Sequence, residues 1–412
     1  MPGWWLSGAA VDLDFINDRY YDSATAAPRT ALNFLSISRA SIGYARSTGG
    51  VLTQFATDTL RRSDLGLLVE DARTNILKAS QDLTGGDWST QNVSITANST
   101  NAPDGTATAD TITPDVTNNV HRHNTVGAGG SIANGSSVTF SCYVKPNGYS
   151  YVGFHCVDLT SNYHARFDLT GSGSVIALTG GDVAFSSGSV ESLANGFFRV
   201  TATINSWNGP DSGGFRIVVL PNNSTGVITT WTGDGSSGIY AWGAQMEVGA
   251  FPSSYIPTTT TSATRADDQA NFIGNALTIH NTDAGGSLVI QMQGVPNSTT
   301  ISPSFLIANG GELIFINGSN TVSFVGGGTH TTANTAKRPN LDKMGYSWAI
   351  PNMSGVLNGG TVVTASDDIT HVGSTPGLGG GSAGGNRCFG YITRCTLWNT
   401  RLADATLQAL TA

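Results

Sequence analysis

The chain has 412 residues, room for two or three domains, and only 12% of them are charged against the roughly 25% of ordinary soluble domains. It carries 52 glycines, a formal net charge of −8, and lysine only at Lys78, Lys145, Lys337 and Lys343. This balance excludes a phosphate-gripping surface, which concentrates Lys and Arg on one face, so no nucleic acid is expected as a partner.

The opening "MPGWWLSGAAVDLDF" lacks the basic segment and apolar run of a secretory signal, and no stretch approaches the ~18 apolar residues of a membrane span. The expectation is a chain made soluble in the cytoplasm, without membrane insertion, that reaches the outside by lysis or within a larger particle. Trp4, Trp5 and Leu6 precede any strand pattern. Each forfeits ~1.5–3 kcal/mol of burial if left in water, so they are expected to dock on a neighbouring subunit or a larger assembly.

Three textures follow along the chain. Residues 1 to about 75 hold Arg- and Leu-rich material such as "TLRRSDLGLLVEDARTNIL". From about 76 to 262 come short alternating segments: "NVSITAN", "SVTFSCYVKP", "YVGFHCVDL", "HARFDLTG", "FFRVTATI", "FRIVVLP" and "GIYAWGAQMEV". Period-two alternation bounded by Gly, Asn, Asp and Ser predicts half-buried antiparallel strands, and so many of them predict a sandwich or jelly roll. A Thr-rich linker, placed at 263–269, leads to a second β-region over 270–412 with "GSLVIQMQG", "SFLIANGGELIFING", "TVSFVGG", "GYSWAIP", "SGVLNGGTVVT" and "CFGYITRCTLWN". Asn-Gly pairs at 309–310, 317–318 and 358–359 signal hairpins, and the tail "LADATLQALTA" is the one clear helical candidate. The fold class is all-β, with sandwiches in tandem behind an N-terminal region.

The four cysteines do not form a disulfide framework. Cys388 and Cys395 would stand roughly 23 Å apart on opposite faces of one strand, and Cys142 and Cys156 flank a turn near Tyr149 across which they could meet. Buried thiols are expected. In "IYAWGAQMEVG", Tyr240, Trp242, Ala244 and Met246 share one face, predicted to be the core face. Gln245 and Glu247 share the other, with Ile239, Ala241 and Gly243, and could line a concave glycan face.

Candidate chemistry is sparse. Glycoside hydrolysis needs two carboxylates about 5–10 Å apart, and Glu70, Glu191, Glu247 and Glu312 are scattered with most aspartates in turns. No Gly-x-Ser-x-Gly elbow follows a strand, and "TPGLGGGSAGGN" leads into a strand rather than a helix. No enzyme is expected. His121 and His123 in "VHRHN" have metal-ligand spacing without a third ligand, and Asp367, Asp368 and His371 in "TASDDITH" form a loop that could take Ca²⁺, the only cofactor considered. Sugar recognition stacks aromatic faces on the ring and meets hydroxyls with Asn, Asp or Gln. The candidates in loop contexts are Trp207 with Asn205, Asn208 and Asp211, then Trp231, Tyr149, Tyr151 and Tyr163.

Ordered motifs from Ala72 to Asp268 carry a family resemblance: "ARTNILKASQDL", "DWS", "APDGTATADTITP", "FSCYVKPNG", "NGFFRVTATI" and "GIYAWGAQMEVGAFPSSYIPTTTTSATRADD". Together they resemble a jelly-roll module of tailed-bacteriophage virion proteins, similar to carbohydrate-binding modules and found in tail fibres and head spikes. "SISRASIGYARSTGGVLTQFATDTLRRSDLGLLVEDARTNIL" looks like its usual leader, and "GSLVIQMQG", "GVLNGG" and "CFGYITRCTLWNTRLADATLQALT" resemble the laminin G-like, concanavalin-type sandwich. The resemblance implies a virion-surface attachment protein. Residues 1–75, with Trp4, Trp5 and Leu6, would hold capsid or tail proteins, a jelly roll over 76–262 and a laminin G-like domain over 270–412 would meet host cell-surface polysaccharide, and a trimer or pentamer would add avidity. The alternatives are a decoration protein without glycan affinity and, further off, a capsule depolymerase.

Overall fold

The computed structural model describes residues 5–25, 27–126, 132–158, 161–179, 181, 183–208, 214–225, 227–296, 304–308, 311–316, 321–325, 329–335, 340–366, 375–380 and 388–412, with side chains between 304 and 335 limited to Leu306, Ile314 and 321–324. Among these residues the protein is all-β, its strands pairing antiparallel, with two α-helices at Gly274–His280 and Asp404–Thr411. The second helix is the expected tail. The first spans seven residues, too few for a helical period to show in sequence.

Contacts divide the chain into two units: Met1–Ala45 with Phe55–Ala72 and Ala266–Ala412, and Arg46–Gln54 with Arg73–Arg265. This differs from the expected division. Residues 1–75 do not form a region of their own, because Val11–Asp14 is a strand paired with Gly390–Trp398, Val11 opposite Leu397 and Leu13 opposite Cys395. Gly66–Val69 pairs with the other end of that same strand. Unpaired, Gly390–Trp398 would expose a row of peptide N–H and C=O groups on one side, and the early segments satisfy them. Asp12, on the inserted strand, is buried and accepts from Arg394 Nε (2.8 Å) and Thr396 Oγ1 (3.0 Å).

In this first unit a nine-stranded sheet built around Gly390–Trp398, Gly286–Gln293 and Asp342–Ala349 faces a seven-stranded sheet that includes Gln269–Phe272 and Leu35–Ser38. Leu13, Leu288, Ile290 and Tyr346 of the first meet Leu35, Phe272, Leu306 and Phe324 of the second in one apolar core. A buried ionic cluster closes the unit. Arg61 donates to Glu70 Oε2 (2.7 Å), to the Tyr44 carbonyl (2.8 Å) and to both oxygens of Asp268. Arg39 reaches Asp268 Oδ1 at 3.0 Å, and the Glu70 N–H donates to Asp268 Oδ2 at 3.0 Å. Burial works against the Arg61 charge, but Asp268 and Glu70 outweigh it and raise its pKa.

The second unit is a sandwich of two six-stranded sheets. One holds Val93–Thr100, Ala109–Pro114, Gly238–Val248, Val138–Asn147, Phe198–Ile204 and Ser187–Ser192. The other holds Ser174–Ala177, Asn162–Asp168, Tyr151–Val157, Phe215–Leu220, Arg122–Thr125 and Trp88–Gln91. The turn at Tyr149 therefore carries the chain from one sheet to the other and does not close a hairpin. Cys142, Cys156, Cys388 and Cys395 are all buried thiols.

The expected single core face of "IYAWGAQMEV" is corrected by a bulge. Opposite Gly238–Val248, the register slips between Ser141↔Gln245 and Tyr143↔Trp242, with Gly243 at φ +63°. Ile239 and Ala241 face the core before the bulge, Ala244 and Met246 after it. Trp242 falls on the other face, 5.3 Å from Tyr143 and 4.5 Å from Tyr255 between ring centroids. A β-carbon at Gly243 would come within 2.8 Å of Tyr143 Cδ2.

Removing one partner from a buried charge cluster strands the others, so Asp268→Asn is expected to lower the stability of the first unit by about 3 kcal/mol or more. Urea unfolding measures this, and a loss under ~1 kcal/mol would show the cluster to be dispensable. Gly243→Val combines left-handed backbone with a clash, and an expected loss of about 2 kcal/mol should appear in the same assay.

Candidate functional site

The structure sorts the aromatic candidates by burial. Trp207 has no accessible surface: its ring lies 6.1 Å from that of Phe140 in the sandwich interior, and its backbone N–H donates to the Ser136 carbonyl. It is a core residue, and the turn signals around it mark where the chain folds inward after Phe198–Ile204. Asn205 is exposed, while the Asn208 N–H donates to Asp158 Oδ2 at 3.1 Å. Asp211 lies outside the described residues. Tyr163 is buried as well, its hydroxyl donating to Asp158 Oδ2 at 2.9 Å. Gln245 and Glu247 line no open face. Both are fully buried, Gln245 donates to Glu247 Oε1 (2.7 Å), Gln245 Oε1 accepts the N–H of Ile256 (2.8 Å), and Glu247 Oε1 accepts that of Ser253 (2.9 Å). They are sockets for the segment that follows their strand.

The remaining candidates come together at one end of the second unit. Trp231–Thr232 pairs with Asn118–Asn119, setting Trp231 opposite Asn119. The Tyr149 ring meets Trp231 edge-on at 5.0 Å, and the His121 ring meets it edge-on at 4.6 Å. Tyr149 and Trp231 are half-buried, while Asn118, Asn119, Thr232 and Asp234 beside them are exposed. The Asp234 N–H donates to the Tyr149 hydroxyl at 3.3 Å. Hydrogen bonding from Ser237, then Ser236, holds the Asp234 carboxyl down at about 2, so it is ionised. Tyr151 lies nearby in sequence, half-buried and packed against Val218, Leu220 and Ile228. A pair of rings held rigidly, with amides and a carboxylate around it, can stack on a sugar and meet its hydroxyls.

The histidines proposed as metal ligands have other partners. His121 Nδ1 lies 2.6 Å from the Asn92 carbonyl and Nε2 3.0 Å from that of Trp231, and His123 Nε2 lies 2.8 Å from the Leu83 carbonyl. Among the described residues no group of three or more metal-ligating side chains exists. Asp367, Asp368 and His371 lie outside them. Near the start of the chain, Leu6 packs with Ala9, Val289, Val356, Trp398 and Leu407, and Trp5 stacks on Tyr21 at 4.1 Å. Trp4 is outside the described residues. Among those residues no helix is long and apolar enough to cross a membrane.

Sequence reading missed a polar row on the outward face of the sheet containing Tyr151–Val157. Val152, Phe154 and Cys156 point inward, so His155 points out, opposite His164 on one neighbour and Arg216 on the other. Arg122 stands on the next strand beyond. The signal in sequence is faint: "VGFHCV" and "FRIVV" carry one basic residue each, and only "YHARF" sets His and Arg two apart.

No family model matches the chain, and no curated protein matches it. Solved structures with some likeness include Trypanosoma rangeli sialidase in complex with sialic acid, 11% identical with a TM-score of 0.28, covering 74% of this chain and 60% of that one. Another is the LG1-3 region of the laminin alpha2 chain, 9% identical with a TM-score of 0.22, covering 70% of this chain and 66% of that one. The chain thus spans less than two thirds of either, and no conclusion about it rests on these likenesses.

Burial, then Arg216, pushes His155 down to about 3, and burial pushes His123 down to about 4. The unfolded chain protonates these imidazoles near pH ~6.5, so below that pH it binds more protons than the folded chain. Stability is therefore expected to fall between about pH 6.5 and 4, by roughly 1.4 kcal/mol per pH unit for each imidazole. Urea midpoints across that range measure the slope, which His155→Gln should reduce. An unchanged slope would place the proton uptake elsewhere.

Proposed function

We propose that this chain is a non-catalytic glycan-binding protein of a tailed-phage particle, attaching that particle to host cell-surface polysaccharide. The observation that carries the reading is the Tyr149–Trp231 pair, half-exposed beside Asn118, Asn119 and Asp234 on a rigid sandwich. The ordered motifs from Ala72 to Asp268 supply the virion setting. Among the described glutamates, Glu70 is held by Arg61, Glu191 pairs with Arg46 at 2.6 Å, and Glu247 accepts the Ser253 N–H, which favours binding over hydrolysis. A hydrolase needs one acid kept protonated and a second free to attack or activate water. Contacts of this open kind are weak singly, and several linked copies on one particle raise avidity by about 10²–10⁴-fold. A homo-oligomer follows from that logic, with other virion proteins as its anchor.

Glycan-array binding by the whole chain tests the reading. Trp231→Ala or Tyr149→Ala is expected to weaken binding about tenfold or more, with unfolding unchanged beyond the small loss of a surface ring. No binding to any saccharide would leave a decoration protein as the better account. Release of reducing ends from host capsule would make it a depolymerase instead.

A further inference from the structure

In the first unit, Arg19–Asp22 is the end strand of the nine-stranded sheet and pairs with Val11–Asp14. Its side chains alternate between the two faces, and at the rim of a sheet both faces can border one space. Here they wall a cavity of about 560 Å³ lined by Trp5, Tyr20, Tyr21, Asp22, Ser23 and Thr25. That volume lies within the ~300–1,000 Å³ of small-ligand sites.

One side of the cavity is aromatic. Tyr21 and Trp5 stack with ring centroids 4.1 Å apart and planes 5° from parallel, and both are half-buried. Tyr20 turns to the other face of the strand, where it packs against the core and meets Phe15 edge-on at 5.9 Å. The polar side is held in place. Asp22 is buried, its Oδ1 accepts from Asn275 Nδ2 (2.7 Å) and the Ala24 N–H (3.0 Å), and its Oδ2 faces Arg29 Nη2 at 3.4 Å. Ser23 is exposed and Thr25 half-buried. Thr25 Oγ1 accepts the Ala27 N–H at 3.2 Å, which leaves the hydroxyl proton to donate to a ligand oxygen.

Charge and ring geometry select the class of ligand. The Asp22 carboxylate already faces a guanidinium, so the cavity calls for no counter-ion. Parallel rings form a flat platform, whereas a cage for a quaternary ammonium brings the cation over ring faces. A flat apolar surface beside hydroxyls and a fixed acceptor suits a neutral sugar ring.

The geometry points to a neutral saccharide as the ligand of this cavity, its apolar ring face against the Tyr21–Trp5 pair and its hydroxyls toward Asp22, Ser23 and Thr25. This is a second saccharide site, in the other unit from Tyr149 and Trp231, and it does not depend on that pair.

Saturation-transfer NMR titrations of the full chain test it, with cellohexaose, maltohexaose, laminarihexaose and choline chloride as probes. At least one hexasaccharide is expected to bind Trp231→Ala, and adding Tyr21→Ala should weaken that binding about tenfold or more. Tyr21 also packs on Trp5, so two milder variants separate binding from folding. Tyr21→Phe should retain binding, and Ser23→Ala should weaken it about two- to tenfold at the unfolding midpoint of the parent. Raising salt to ~1 M should leave binding unchanged, since no net charge is involved. If Trp231→Ala binds no sugar, the inference falls, and the Tyr149–Trp231 site stands or falls with binding by the parent. Equal binding by Trp231→Ala with and without Tyr21 overturns the inference as well. Binding that Tyr21→Ala removes and Trp231→Ala leaves intact upholds it and discards the other site. Choline bound in place of the sugars would make the rings a cation site and end the inference.

Discussion

One carboxylate organises the first unit. Asp268 sits where four separated pieces of chain must meet, and it accepts hydrogen bonds from Arg39, Arg61 and the Glu70 N–H. The Arg61 and Asp268 positions are 207 residues apart, and the side chains of both are nearly inaccessible. Buried charges in such a place are tolerated only when each finds its counterpart, so these segments fold together or leave an ion stranded in an apolar setting. The pairing of Val11–Asp14 with Gly390–Trp398 extends the same dependence to the main sheet. A leader that looks like an accessory in sequence is thereby part of the sandwich.

The second unit handles polarity differently. Its inner faces are largely apolar, with His123 stacked on Trp88 at 4.9 Å, and several of its buried polar side chains serve as sockets for backbone. Gln245 and Glu247 hold the 253–256 segment, and Asn75 donates to the carbonyls of Ala244 (3.1 Å) and Ile256 (3.0 Å) while accepting from the Met246 N–H. Such bonds clamp the segments flanking the sandwich onto its outer face. They also explain why the polar residues of the most motif-like stretch are unavailable for ligand. In the proposed reading, what remains for recognition is the ring pair at one end, which offers apolar faces for sugar rings.

Much of the fold was legible from the residues alone. Alternation in segments such as "SVTFSCYVKP" and "FFRVTATI" located strands within a residue or two, since side-chain period is a local consequence of pleating. The binding candidates were less legible. Trp207 and Trp231 both sit among Gly, Asn and Asp, yet one is interior and the other half-exposed, because a loop residue's burial depends on which layer the loop folds against. The face of Trp242 was misread for a related reason: one extra residue at Gly243 inverts the alternation, and only pairing with Val138–Asn147 reveals it.

The sequence by itself determined the all-β class, the strand positions and the buried thiols, each of which follows from hydrophobic pattern and backbone chemistry close by in the chain. The tertiary structure alone decided that the early strands complete the last sheet, that Asp268 gathers Arg39 and Arg61, and that Arg122, His155 and Arg216 share one face. The physical reason is distance along the chain. Pairing, charge compensation and shared surfaces join residues whose neighbours in sequence carry no trace of one another.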